Sequence, residues 1–240
     1  MIGLDGMRLE ILNPDGTEKL RRGELPCGTV LESAIDPLER ISWYGPMLPI
    51  LNSSASLDPN LPRPKNKNFA KMLESYDPHR AWNDPLLKPV AYYRLSTALC
   101  PARVPTFDPS QPARNHYIAL GGLGEKTPSL SLDEAGRRAG CFRYNSPTPD
   151  EAILDGLSQT IALLETEKDI GAWLQGGPST LRGINETEKL VGRGQQFSGH
   201  RNGLYAAFAD GSVRFFTYTA DDRLLKALVT IAGSERIGED

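Results

Sequence analysis

The 240-residue chain carries a net charge of −3, with 39% hydrophobic and 24% charged residues, a balance that fits a folded protein and excludes disorder over the whole length. Its densest basic stretches, Lys19 to Arg22 and Arg63 to Lys71, are short, and the second is broken by Pro64 and Asn66. They lack the clustered cations that a nucleic-acid lattice or an anionic membrane surface requires, so neither partner is expected.

No window approaches the run of about 18 apolar residues that crosses a bilayer. Met1 to Arg8 already holds Asp5 and Arg8, so no membrane span and no targeting segment is expected in the chain. A chain this long hides roughly 70–75% of its unfolded surface, enough for a sizeable core.

Arg8 to Leu12 alternates in polarity, and Asn13-Pro14-Asp15-Gly16 is turn chemistry. This predicts a small hairpin in a distinct N-terminal segment, residues 1–23, ahead of one globular head over residues 24–240. Ile41 to Leu51 is apolar but interrupted by Pro46 and Pro49, and reads as a buried extended run. Fifteen of the 19 prolines lie between Pro46 and Pro149, which argues for a long looped excursion without long helices or central strands. Within it, Asn66 to Tyr76 carries helical spacing in Phe69, Met72, Leu73 and Tyr76 and stops before Pro78.

Beyond Pro149 the pattern turns regular. Gln159 to Glu165 is nearly continuous in apolar residues, the mark of a central strand. Gly176 to Gly194 is glycine-rich and polar and reads as a surface loop. Leu204 to Ala209 and Ser212 to Tyr218 flank Asp210-Gly211, which predicts a hairpin closed by a two-residue type I′ turn. Tyr205, Phe208, Phe215, Phe216 and Tyr218 supply its cross-strand packing. Ala220 to Ile231 reads as a helix with Leu224, Leu225, Leu228 and Ile231 on one face and Gly233 at its end. Asp221 and Asp222 suit its N-terminal dipole better than a calcium loop, since no D-x-D-x-D-G string is present. The fold class that follows is α+β: an antiparallel β-sheet, long proline-rich loops and few short helices.

Cys27, Cys100 and Cys141 lack the short paired spacing of a zinc site, and small buried residues are the expectation. In an oxidising compartment Cys100 with Cys141 is the first pairing to test. No metal and no cofactor is expected.

His200 is one of three histidines, with His79 and His116. There is no G-x-S-x-G elbow and no H-E-x-x-H for zinc. Gly121 to Thr127 approaches a phosphate loop, but Glu125 stands where that motif needs glycine before the lysine. Two roles suit His200. Its ring could bond a backbone carbonyl and lock the loop into the hairpin, or it could join Asn202, Asp210 and Glu165 in a polar ligand-contacting cluster. Asp210 also suits a turn residue that bonds its own backbone. Trp82, Asn83 and Asp84, following His79 and Arg80, form an aromatic and polar patch fit either to stack a sugar or to anchor a loop. Trp173 carries the same two readings.

His200, nine intervening residues, then Asp210-Gly211 is similar to the H-X9-DG signature of a bacterial family of pseudopilin-like proteins. Further blocks resemble that family in order: Leu25 to Val30, Ile41-Ser42-Trp43 with Leu48-Pro49, Ala81 to Pro85, Leu99-Cys100-Pro101, Tyr117 to Gly122, Ile153 to Ile161, and Gly199 to Phe215 followed by Leu228 to Glu235. The likeness covers roughly residues 24–240; Met1 to Gly23 stands where the family has an apolar prepilin helix. The resemblance implies a pilin-like head on an antiparallel sheet and a prepilin-related, type II secretion-like or solute-binding role without enzymatic activity. The expected function is therefore a non-enzymatic cell-envelope or extracellular domain in surface assembly, secretion or polymer binding. Its expected partners are other protein subunits, or a surface polysaccharide or solute. The alternative is a hydrolase using Glu165, His200 and Asp210.

Overall fold

Proline sets the grain of the first half of the fold in the computed structural model, which describes residues 23–53, 67–103 and 108–233. The hairpin expected over Arg8 to Gly16 lies outside those residues. A two-residue strand β1 (Glu24–Leu25) is followed by α1 (Tyr44–Ser53), α2 (Lys67–Leu73) and α3 (Lys88–Ala91). Then come β2 (Tyr117–Leu123), α4 (Leu132–Ala135), β3 (Thr148–Pro149), β4 (Ile161–Glu165), β5 (Leu181–Ile184), β6 (Gly203–Phe208), β7 (Val213–Thr217) and α5 (Asp222–Ala227). The class is α+β, with few and short helices.

Five strands form the main sheet in the order β5-β2-β4-β6-β7, and β1 pairs with β3 in a separate ribbon. Neighbours in the main sheet run antiparallel except β2 and β5, which are parallel. β4 is the middle strand, as its unbroken apolar run requires: all five of its residues are buried. Ala119, Leu163 and Ala207 face a core shared with Trp43, Phe142 and Trp173. Ile118, Leu120, Leu164 and Phe208 face a second core closed by Val191, Phe197 and Leu225. With both faces covered, the centre of the sheet is shielded from water, which is the dominant source of its stability.

Several expectations need correction. The apolar run from Ile41 is extended only at its start, where Ile41 bridges Gln175 and Ser42 bridges Thr29. From Tyr44 it winds into α1, because Pro46 falls in the first turn, where its missing N–H costs nothing. The proline-rich excursion also contains an interior strand. The stretch between Pro112 and Pro128 holds no proline, and β2 forms there between β5 and β4. The helix read over Asn66 to Tyr76 is present as α2, with Phe69 and Met72 buried.

The polar, glycine-rich loop hides β5, whose Leu181 and Ile184 are buried against β2. α5 is shorter than expected. Asp221 caps it by accepting from Arg223 N–H at 2.8 Å. Past Ala227 the backbone turns to partners outside the helix: Leu228 accepts from Ile161 N–H at 2.6 Å and Ile231 donates to Ala139 at 2.9 Å. The hairpin turn has three residues rather than two. Phe208 N–H donates to Ser212, and Gly211 N–H donates back to Phe208 at 2.9 Å. Only Gly211, at φ +87°, takes the left-handed conformation, the pattern of a type I turn closed by a glycine bulge.

Candidate functional site

Glu165 ends the middle strand, opposite Tyr117 of β2 in the ladder, and it is 1% exposed. A carboxylate that deep needs partners, and each neighbouring strand delivers one. From the β2 side comes Cys100. Ala98 accepts from His116 N–H at 2.8 Å, and Cys100 N–H donates to His116 Nδ1 at 3.0 Å. These two bonds lay the segment before Pro101 across the start of β2. From the β6 side comes His200, whose N–H donates to Gly203 at 2.8 Å as the chain turns into the strand.

The three side chains meet. His200 Nε2 lies 3.4 Å from Glu165 Oε1 and 3.5 Å from Cys100 Sγ. Glu165 Oε2 accepts from Tyr205 N–H at 2.8 Å, which orients the carboxylate. Gly199 leaves room for it: a Cβ there would stand 3.0 Å from Glu165 Cβ. The His200 ring is held edge-on to Tyr205 and Phe215, at 5.0 and 6.3 Å between centroids. Its side chain is 26% exposed, so the cluster has one side open to solvent. Burial, with the Glu165 charge adding to it, pushes the Cys100 thiol up to about 11. Burial also lowers His116 below its ordinary 6.5, helped by Arg103 and Arg114, which keeps its ring neutral as the acceptor for Cys100 N–H.

Of the residues singled out in the sequence, Glu165 and His200 come together and Asp210 does not. Asp210 sits at the far end of β6, where its Oδ1 accepts from Ser212 N–H at 2.9 Å. Against the cost of burial, that bonding holds its carboxyl below the usual range. Asn202 is exposed, and its carbonyl accepts from Tyr218 N–H at 3.0 Å. Among the described residues the His200 ring bonds no backbone carbonyl; its Nε2 faces the carboxylate and the thiol.

Trp82 and Asp84 lie elsewhere. Trp82 packs partly buried against the larger core. Asp84 caps the 3₁₀ turn Pro85–Leu87 by accepting from Leu86 N–H at 2.8 Å and pairs with Arg80 at 3.0 Å. Trp173 is buried, its Nε1 donating to Tyr93 at 2.9 Å. The residue missed in the sequence is Cys100, which does not join Cys141; none of the three cysteines is in a disulfide.

A groove of about 360 Å³ runs beside β5, lined by Tyr144, Asp169, Arg182, Asn185 and Gln196 among others. Its arginine is spent on structure: Arg182 Nη2 donates to the carbonyls of Lys168 and Asp169 at 2.9 and 2.7 Å. None of the sequence candidates lines it.

A family model described as "Protein of unknown function (DUF1559)" matches residues 21–180 of the chain. The matched region contains Cys100 and Glu165 and ends before His200. No curated protein and no solved structure matches the chain. The chain belongs to the DUF1559 family.

Proposed function

We propose that this DUF1559 member is a non-enzymatic, pseudopilin-like head that assembles with other protein subunits at the bacterial cell envelope. The observation that carries this reading is the outer edge of the sheet. β7 has no neighbour beyond it among the described strands, and its residues Val213 and Phe215 are 43% and 45% exposed, beside Tyr205 of β6 at 38%. An apolar edge strand is a ready template for another chain, by backbone pairing and by burial of the side chains. The H-X9-DG resemblance supports the same reading, since in this chain its Asp210-Gly211 shapes the hairpin that carries β7.

The hydrolase alternative is weakened by geometry. β6 runs six residues between the His200 loop and the Asp210 turn, a span of roughly 20 Å, so Asp210 does not reach the reacting position that Glu165 and His200 would share.

Cross-linking in cells tests the proposal. Expressed with a tag in a bacterial host that carries this family, the chain is expected in the envelope fraction and in cross-linked species larger than itself. Val213→Lys with Phe215→Glu should abolish those species while leaving the melting transition in place. A wild-type chain recovered uncross-linked from the cytosol overturns the reading, and cross-linking unchanged by the double variant removes β7 as the contact.

A further inference from the structure

We propose that Cys100, Glu165 and His200 form a site for one divalent metal ion of the zinc class, an inference that stands independently of the assembly role above. Their ligand atoms all lie within 4.8 Å of one another. Two of the three separations, those from His200 Nε2, match what a metal would ask for. Bonds of about 2.3 Å to sulfur and 2.0–2.1 Å to nitrogen and oxygen, at tetrahedral angles, put sulfur about 3.5 Å from nitrogen and nitrogen about 3.3 Å from oxygen. The observed values are 3.5 Å between Cys100 Sγ and His200 Nε2 and 3.4 Å between His200 Nε2 and Glu165 Oε1.

A triad built for nucleophilic attack would look different. There the histidine faces its nucleophile through one ring nitrogen and its orienting acid through the other. Here Nε2 alone faces both the sulfur and the carboxylate, so all three groups point at a common centre instead of lining up in a relay.

The donor set selects the ion. A thiolate with an imidazole suits zinc and its substitute cobalt, whereas magnesium and calcium call for oxygen alone. The surroundings hold the ligands in place, as outer partners of metal ligands do. Tyr205 N–H fixes the second oxygen of Glu165, His116 fixes the Cys100 backbone, and the rings of Tyr205 and Phe215 confine His200. Binding takes the thiol proton of Cys100 to solvent and leaves the thiolate on the metal. Three protein ligands leave a fourth position, which the exposed side of His200 opens to water. The ion would tie three remote segments together: the approach to β2, the end of β4 and the loop into β6.

Cobalt(II) added to the full-length, metal-stripped chain is the test. One ion per chain is expected, with a thiolate-to-cobalt charge-transfer band and the visible bands of tetrahedral cobalt, both displaced by zinc. Zinc should also raise the melting temperature, and a chelator should reverse the rise. Cys100→Ser should lose the charge-transfer band, and Glu165→Gln and His200→Asn should each weaken cobalt binding at least about tenfold, while Cys27→Ser and Cys141→Ser keep it. If Cys100→Ser fails to fold, the other two ligand variants, read by the same spectrum, decide. Absence of the charge-transfer band in the wild type overturns the site. So does a band that survives Cys100→Ser, or ligand variants that fold and bind cobalt as tightly as the wild type.

Discussion

The hydroxyl of Tyr218 donates to the carbonyl oxygen of His200 at 2.8 Å, and the hydroxyl oxygen itself accepts from Gly199 N–H at 3.1 Å. One side chain at the end of the hairpin thus clamps both residues that shape the cluster from the β6 side. Tyr218→Phe removes only that oxygen and leaves two backbone groups without their partner. Each such bond contributes about 1 kcal/mol net, so the variant should unfold about 1–2 kcal/mol more easily by denaturant titration. Thr219→Ala, which removes an exposed hydroxyl contact with Thr217, should change stability by less than about 0.5 kcal/mol. Equal midpoints for Tyr218→Phe and the wild type would show that the clamp contributes nothing.

Gly211 is the second point where the hairpin can be broken. At φ +87° a β-branched residue is strongly disfavoured, so Gly211→Val should cost more than about 1 kcal/mol, read as a lowered melting midpoint. Asn tolerates the left-handed region better, so Gly211→Asn should recover a good part of the loss. If the two variants melt together, the glycine is not held in that conformation.

The middle of the sheet was legible because β4 writes its burial into the sequence as a continuous apolar run, and β6 and β7 are joined by a local turn signal. The turn type is ambiguous in the sequence for a physical reason: two-residue and three-residue hairpins both want glycine at the last corner, and Asp210-Gly211 fits either. β5 was invisible because Leu181 and Ile184 sit among glycines and polar residues, and their partner is a parallel strand far away in the chain. At the site, Glu165 and His200 could be paired because a central strand and a hairpin that follows it are expected to be neighbours. Cys100 could not, since contacts such as those with His116 bring it to the cluster, and no spacing encodes them.

His116 gives the pH dependence a sign. Burial, with Arg103 and Arg114 behind it, depresses its folded-state value below the ordinary 6.5. Below 6.5 the unfolded chain therefore binds the proton that the folded chain refuses. The stabilisation is fully present above 6.5 and is lost as pH falls through the folded-state value. The loss should be smaller in His116→Gln, compared with the wild type by denaturant unfolding at a series of pH values. The ring resonances of His116 should likewise titrate below 6.5, and a midpoint at or above it would contradict the buried, neutral acceptor.

Thiol chemistry separates the three cysteines. Cys27 is partly exposed, whereas Cys100 and Cys141 are buried. Burial and the neighbouring Glu165 also push the Cys100 thiol up to about 11, so at pH 8 only about one molecule in a thousand carries its thiolate, the species that alkylates. With iodoacetamide under native conditions at about pH 8, Cys27 should be modified first, and Cys100 and Cys141 should follow only on unfolding. Because none of the three is in a disulfide, unfolding without a reductant should expose all of them, and intact mass should show three adducts. A single adduct after unfolding would mean that two of the three had joined, and peptide mapping that placed Cys100 in the pair would take the sulfur away from His200. Native labelling of Cys100 as fast as Cys27 would mean that the thiol is neither buried nor held beside the carboxylate, and the cluster would not exist in solution as described.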